Sequence, residues 1–291
     1  MKFALPRIPR VVLIPMIVAC ALFMENMDST VIATSLPDIA RDLGEDPISL
    51  KLALTSYLLS LAVFIPISDW MADRFGARTV FRGSMIVFML GSVLCAFSDS
   101  LAGFVAARFL QDIGGAMMVP VGRLVVLRST TKAEMVRAMS YLTIPALLGP
   151  VIGPPLGGFI STWFHWRWIF FINVPICIVG LILAGIYIEN TKAEESPALD
   201  VPGFLLSAIS LSLLMMGLAT YGRGLLPVSV SLGAMLIGAM LLALHIRHAL
   251  HREHPILNLR LFCLPTFRAG AWPAATSSAS ASAPFPSCCP C

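Results

Sequence analysis

Trp168–Ile188 reads WIFFINVPICIVGLILAGIYI, without a single Asp, Glu, Lys or Arg. Spanning ~30 Å of hydrocarbon takes about 20 apolar residues at 1.5 Å rise each, so this stretch has the length of a membrane-crossing helix. Runs of the same kind precede it at Val11–Thr34, Leu52–Ser68, Thr79–Phe97, Leu101–Leu127 and Ala138–Thr162. Two more follow at Val201–Gly222 and Leu225–Leu244, and the last four of the eight carry no charge at all. A buried helix of a soluble protein seldom sustains that four times over. The expected fold class is an all-α membrane protein.

Composition points the same way. Of 291 residues, 57% are hydrophobic and 12% charged, whereas a soluble domain is roughly a quarter charged. Half that fraction cannot clothe a globule in hydrated groups, which excludes a water-soluble enzyme. The net charge of +4 does not indicate nucleic acid, because the basic residues are dispersed between apolar runs. The lipid bilayer is the expected partner.

Successive spans alternate in direction. A cytoplasmic N-terminus puts Lys2, Arg7, Arg10, Arg74, Arg78, Arg82, Arg128, Lys132, Arg137, Lys192, Arg247, Arg252 and Arg260 inside, against Arg41, Lys51, Arg167 and Arg223 outside. That imbalance follows the positive-inside rule. The basic start is not a secretion signal, since its apolar run is too long and contains Glu25 and Asp28.

Six spans are closely joined across residues 1–188, and the polar stretch ENTKAEESPALD (Glu189–Asp200) then reads as a cytoplasmic linker. Residues 201–246 hold two extra spans, 247–268 a basic cytoplasmic segment, and 269–291 a low-complexity tail rich in Ala, Ser and Pro, expected to be disordered. Cys20, Cys95 and Cys177 fall in apolar spans, where Cys acts as a small hydrophobe. Cys288, Cys289 and Cys291 lack a second ligand pair. His245, His248, His251 and His254 drift around a helix by about 60° per step and read as solvated interfacial residues. No metal, cofactor or catalytic residue is expected.

Ionised groups inside the membrane cost about 2.5–3.5 kcal/mol each, so they normally face a protein interior or an aqueous cavity. Glu25, Asp28, Arg108 and Asp112 are such residues. Rise along the first span puts Glu25 ~21 Å and Asp28 ~26 Å from its inner end. Arg108 lies ~10 Å below the outer surface, at about the depth of Glu25, so these opposite charges can meet. Glu25 and Asp28 share a helical face. An arginine that approaches and withdraws would switch a carboxylate between holding and releasing a proton, as a proton-coupled transporter requires. Arg123, nearer the inner end, reads as snorkelling to the headgroups.

Five stretches together resemble the major facilitator superfamily, and within it the fourteen-helix drug:proton antiporter branch. MDSTVIATSLPDIA (Met27–Ala40) is similar to that branch's acidic first-helix pattern and puts Asp28 on its acidic position. DWMADRFGARTVF (Asp69–Phe81) is similar to the loop motif between helices two and three, matched by Asp73, Arg74, Gly76 and Arg78. RFLQDIGGA (Arg108–Ala116) resembles the helix-four pattern whose arginine the family links to proton coupling. GPVIGPPLGG (Gly149–Gly158) matches the helix-five antiporter motif at Gly149, Pro150, Gly153, Pro154, Gly157 and Gly158. WRWIFFINVP (Trp166–Pro175) looks like the branch's approach to helix six.

The resemblance implies a six-helix half-bundle of two inverted three-helix repeats, followed by two extra transmembrane helices, with a substrate site at mid-membrane. It also implies multi-pass insertion in the plasma membrane, the inner membrane of a bacterium. Proton-coupled export of drugs or similar small amphiphilic substrates is the implied function, with protons as the coupling ion. In physical terms, Asp73 with Arg74 and Arg78 can latch neighbouring helix ends. Gly149, Gly153 and Gly157, four apart, give one face of the fifth helix a bare backbone that a neighbour can approach. Pro150, Pro154 and Pro155 remove backbone donors and bend the helix.

The match departs at Asp69 and Asp112, each standing where the motif has Gly. Asp112, four residues after Arg108, could pair with it and keep it from Asp28. Replacing Asp112 with Gly is then expected to leave coupling intact or strengthen it. The family's second half has no counterpart after LRLFCLPTFRAG (Leu259–Gly270), which suggests a truncated or frameshifted product. It would act with a dimer mate or a second transporter half, or else be an inactive fragment or non-transporting assembly partner. Asp69 and Asp73 also form the D-x-x-x-D pair that a prenyl transferase would use for Mg²⁺, but no second acidic cluster accompanies them.

Overall fold

The computed structural model describes residues 10–45, 47–192, 198–221 and 227–252. Eight helices follow one another: α1 (Arg10–Leu43), α2 (Pro47–Phe75), α3 (Ala77–Ala96), α4 (Leu101–Ser129), α5 (Met135–Trp163), α6 (Trp168–Tyr187), α7 (Val201–Thr220) and α8 (Val228–His251), with no strand among the described residues. Among the described residues seven of these helices are long and apolar enough to cross a membrane; eight spans were expected, and α2, its side chains in part outside those residues, is the one not among the seven. Residues 253–291, including His254, the basic segment beyond Arg252 and the tail with its three cysteines, lie outside the described residues.

The helices outrun the apolar runs that foretold them. α1 has 34 residues, about 51 Å of helix, and its last turn carries Arg41 beyond the hydrocarbon length. Boundaries follow local chemistry. Ser100 caps α4 by accepting from the Gly103 amide at 3.2 Å, and Asp200 caps α7 by accepting from Gly203 at 3.3 Å. α2 and α3 are separated by Gly76 alone, whose φ of 93° favours glycine.

Small residues decide which helices touch. A Cβ on Gly149 would stand 2.8 Å from the Phe23 carbonyl oxygen and 2.9 Å from the Met27 amide nitrogen. Gly153 and Gly157 meet Thr30 and Val31 in turn, so α5 runs parallel to α1 with its bare face against α1 backbone. Gly158, Pro150 and Pro154 point away from that seam, and α5 stays helical through four prolines. Gly91 and Gly114 bring α3 and α4 together antiparallel, as Gly217 and Gly238 do for α7 and α8.

Backbone cannot yield as a flexible side chain can. Gly149→Ala is therefore expected to destabilise by about 1–3 kcal/mol, while Gly158→Ala, with nothing within 4 Å, is expected to be neutral or stabilising by up to about 1 kcal/mol. Detergent unfolding of the two variants checks the contrast.

Two apolar clusters form the core. One gathers Val18, Met24, Phe81, Phe88, Met118 and Cys177; the other gathers Met27, Ile32, Cys95, Phe104, Ala107 and Phe170. On α3 the residue between them is Ser92, on α4 the trio Arg108, Gln111 and Asp112, and on α6 Asn173. A buried polar layer divides the bundle. Large exposed apolar side chains such as Phe159, Ile182 and Leu236 cover α5, α6 and α8, as a lipid-facing surface requires.

Candidate functional site

The polar layer is built around one guanidinium. Asp28 is 1%, Asp112 2% and Arg108 3% exposed, so all three are buried, and Asp28 does not sit at an aqueous surface. Arg108 Nη1 donates to Asp28 Oδ2 at 2.5 Å and to Gln111 Oε1 at 2.9 Å. Its Nε lies 3.0 Å from Asp112 Oδ1 without aiming its N–H there. Asp28 Oδ1 accepts from Gln111 Nε2 at 3.0 Å and Asn173 Nδ2 at 2.7 Å, and both amides also reach Ser92 Oγ. Ser56 on α2 donates to Asp112 Oδ2 at 2.7 Å.

Two expectations are corrected here. Arg108 bonds Asp28, not Glu25. The pairing of Arg108 with Asp112 within α4 does form, yet Arg108 reaches Asp28 all the same, because its Nη and Nε groups point in different directions. The basis for expecting Asp112→Gly to strengthen coupling is therefore gone. Gln111, Asn173, Ser92 and Ser56 were not singled out in the sequence; the Asn173 amide inside the uncharged Trp168–Ile188 run was the available signal, since it must find a partner in apolar surroundings.

Glu25 occupies a separate place. It is 3% exposed, and its Oε1 accepts the Tyr57 hydroxyl at 2.7 Å. Both residues line a cavity of about 340 Å³ between α1, α2, α4 and α5, walled by Leu22, Leu61, Ile65 and Leu142. Arg123, an exposed residue, lines the same cavity.

The turn between α2 and α3 is held by partners that the motif did not indicate. Asp73 pairs with Arg128 of α4, not with Arg74 or Arg78. Arg74 lies over the Trp70 ring, 5.7 Å from its centroid, and Arg78 donates to the Ile188 carbonyl at 3.3 Å. The segment after α6 straps the turn: Thr191 O accepts from Ala77 N at 3.3 Å and from Arg128 Nη1 at 3.5 Å, while Asn190 Oδ1 accepts from Thr79 N. A Cβ on Gly76 would run into the Asn190 side chain. At the opposite end Arg167 joins Asp42 at 3.2 Å and Asp99 at 2.8 Å, tying α1 to the α3–α4 loop. The Asp73–Arg128 pair is partly exposed, so Arg128→Gln is expected to cost less than about 1 kcal/mol. Hydrogen exchange at the Ala77 and Thr79 amides should nonetheless quicken, because the strap loses an anchor.

A sequence profile described as Major Facilitator Superfamily matches residues 18–285. The chain belongs to this superfamily. Similar relatives named "Putative multidrug resistance protein MdtD" occur in Salmonella paratyphi B, 41% identical over 255 residues, and in Citrobacter koseri, 41% identical over 256 residues. Each match covers 87% of this chain and 54% of the relative, so the chain spans about half the length of these curated relatives. The crystal structure of the human organic anion transporter MFSD10 (TETRAN) shares the fold with a TM-score of 0.54 at 18% identity, covering 73% of this chain and 56% of that one.

The major facilitator fold is that of multi-pass membrane transporters, not enzymes. Its helix-five glycines are here a packing seam against α1. The histidines differ from expectation: His245 is 2% exposed with neither ring nitrogen hydrogen-bonded, and His248 Nε2 lies 3.0 Å from both Asp200 carboxylate oxygens. Of the three described histidines of this series, His251 is the exposed one.

Proposed function

We propose that this chain supplies the proton- and substrate-handling half of a proton-coupled exporter of amphiphilic small molecules in the bacterial inner membrane, with its N-terminus in the cytoplasm. The observation that carries the reading is one arginine enclosed with two carboxylates. An ionised set of this kind has a net charge of −1, unfavourable in a low-dielectric layer, so it has room for one proton. Protonating Asp28 weakens its hold on Arg108, which Asp112 still neutralises. The guanidinium can then shift without ever being unpaired.

The cavity beside Glu25 supports the substrate side, being largely apolar with few polar groups. The relatives' multidrug name supports drugs and similar amphiphiles as the class. The Asp73–Arg128 pair and the strap would act as a cytoplasmic latch that opens and closes as the bundle rocks. Residues 1–188 would be the transport unit, linked through 189–200 to the hairpin at 201–246.

A second reading, motivated by the match covering 54% of each relative, is that this part acts together with a further transporter half, as a dimer or an assembly partner. Everted vesicles holding this chain, given an imposed proton gradient, are expected to move a fluorescent amphiphile against its gradient. Movement only when a second half is co-expressed selects the assembly reading. No movement in either case refutes both.

A further inference from the structure

We propose that the cavity between α1, α2, α4 and α5 selects zwitterionic amphiphiles, taking a cationic group at Glu25 and an anionic group at Arg123. The proposal rests on the reading of this cavity as the substrate site. Its volume of about 340 Å³ falls at the small end of ligand pockets, which run to roughly 300–1,000 Å³. Three ionisable side chains line it: Glu25 from α1, Tyr57 from α2 and Arg123 from α4. α5 contributes Leu142, Thr143, Ala146 and Leu147 and no charge.

The two charges stand at opposite ends. Glu25 is level with Gly115, since its Cγ lies 3.3 Å from where a Gly115 Cβ would be. Arg123 is eight residues further along α4, about 12 Å by helical rise. Pro120, Val119, Leu61 and Ile65 fill the wall between.

Arg123 has no ion-pair or hydrogen-bond partner among the described residues, unlike Arg108, Arg128 and Arg167. Glu25 keeps Oε2 without a hydrogen bond among those residues, its Oε1 being taken by Tyr57. A plain cation gains Glu25 but meets Arg123 as a like charge. A plain anion meets the reverse. A molecule carrying both charges gains both ends and still buries its apolar body between them, which is discrimination by repulsion as well as attraction.

Rhodamine B, a zwitterion, and its methyl ester, a plain cation of nearly the same shape, separate the cases. Their binding to the purified chain in lipid nanodiscs is read by fluorescence anisotropy. Rhodamine B is expected to bind about tenfold more tightly than the ester, the size of one added charge-assisted hydrogen bond. Arg123→Gln should remove that preference and leave ester binding no weaker, Arg123→Lys should keep most of it, and Glu25→Gln should weaken both probes. Equal affinity for the two probes, or a preference that survives Arg123→Gln, overturns the proposal. If the ester still binds and Glu25→Gln weakens it, the cavity remains the substrate site; if neither probe binds, that reading falls as well.

Discussion

Replacing Arg108 with Leu is expected to cost about 3–5 kcal/mol of unfolding stability, because removing one member of a buried ionic set strands the others. Asp28 and Asp112 would then face each other's charge inside the polar layer, with Gln111, Asn173 and Ser56 left as donors to them among the described residues. Packing alone does not account for this cost, since Leu replaces much of the lost apolar stem. Unfolding in SDS, followed by circular dichroism, measures it. The triple variant Asp28→Asn, Asp112→Asn, Arg108→Leu should recover a large part of the loss, because it removes the stranded charges. A single-variant loss below about 1 kcal/mol would mean that water already reaches the layer.

Asp28→Asn is expected to abolish gradient-driven efflux, down to the level of vesicles without the protein. Stability should fall less than for Arg108→Leu, because Asp112 still neutralises the guanidinium. The Asn carbonyl can keep the hydrogen bonds from Gln111 and Asn173, but its amide then faces Arg108 Nη1, donor against donor, and no proton can be exchanged. Asp112→Asn should retain measurable efflux, since Asp28 remains paired. Glu25→Gln should alter which substrates move rather than whether protons drive them.

The helices and their order were legible in the sequence because hydrocarbon thickness sets the length of each apolar run. The buried charges were legible for the same reason: Asp28 and Arg108 stand out against residues that lipid tolerates. Which carboxylate Arg108 would choose was not. Depth along a helix resolves about one turn, and Glu25 and Asp28 sit less than a turn apart, so the choice rests on how α1 rotates against α4. That rotation is fixed by the Gly149–Gly157 seam and by Gly115 and Gly122, each needing close neighbours on α1 or α3.

Uncharged partners were harder to find. Ser92 and Gln111 look like ordinary helix residues until the fold puts them beside Asn173. Arg128 was visible only as one more positive charge on the inner side. Its pairing with Asp73, and the strap at Ile188–Thr191, depend on which helix ends become neighbours, which no local pattern encodes. Arg123 was read from its distance to the membrane edge, a measure that says nothing about the cavity opening beside it.

Proton release on substrate binding tests the coupling claim most directly. In lightly buffered solution with a pH-indicator dye, addition of rhodamine B to the detergent-purified chain should liberate protons in proportion to the ligand bound. The account predicts that this release disappears in Asp28→Asn while binding persists. Release of equal size from Asp28→Asn would contradict it, and would place the exchanged proton on another group.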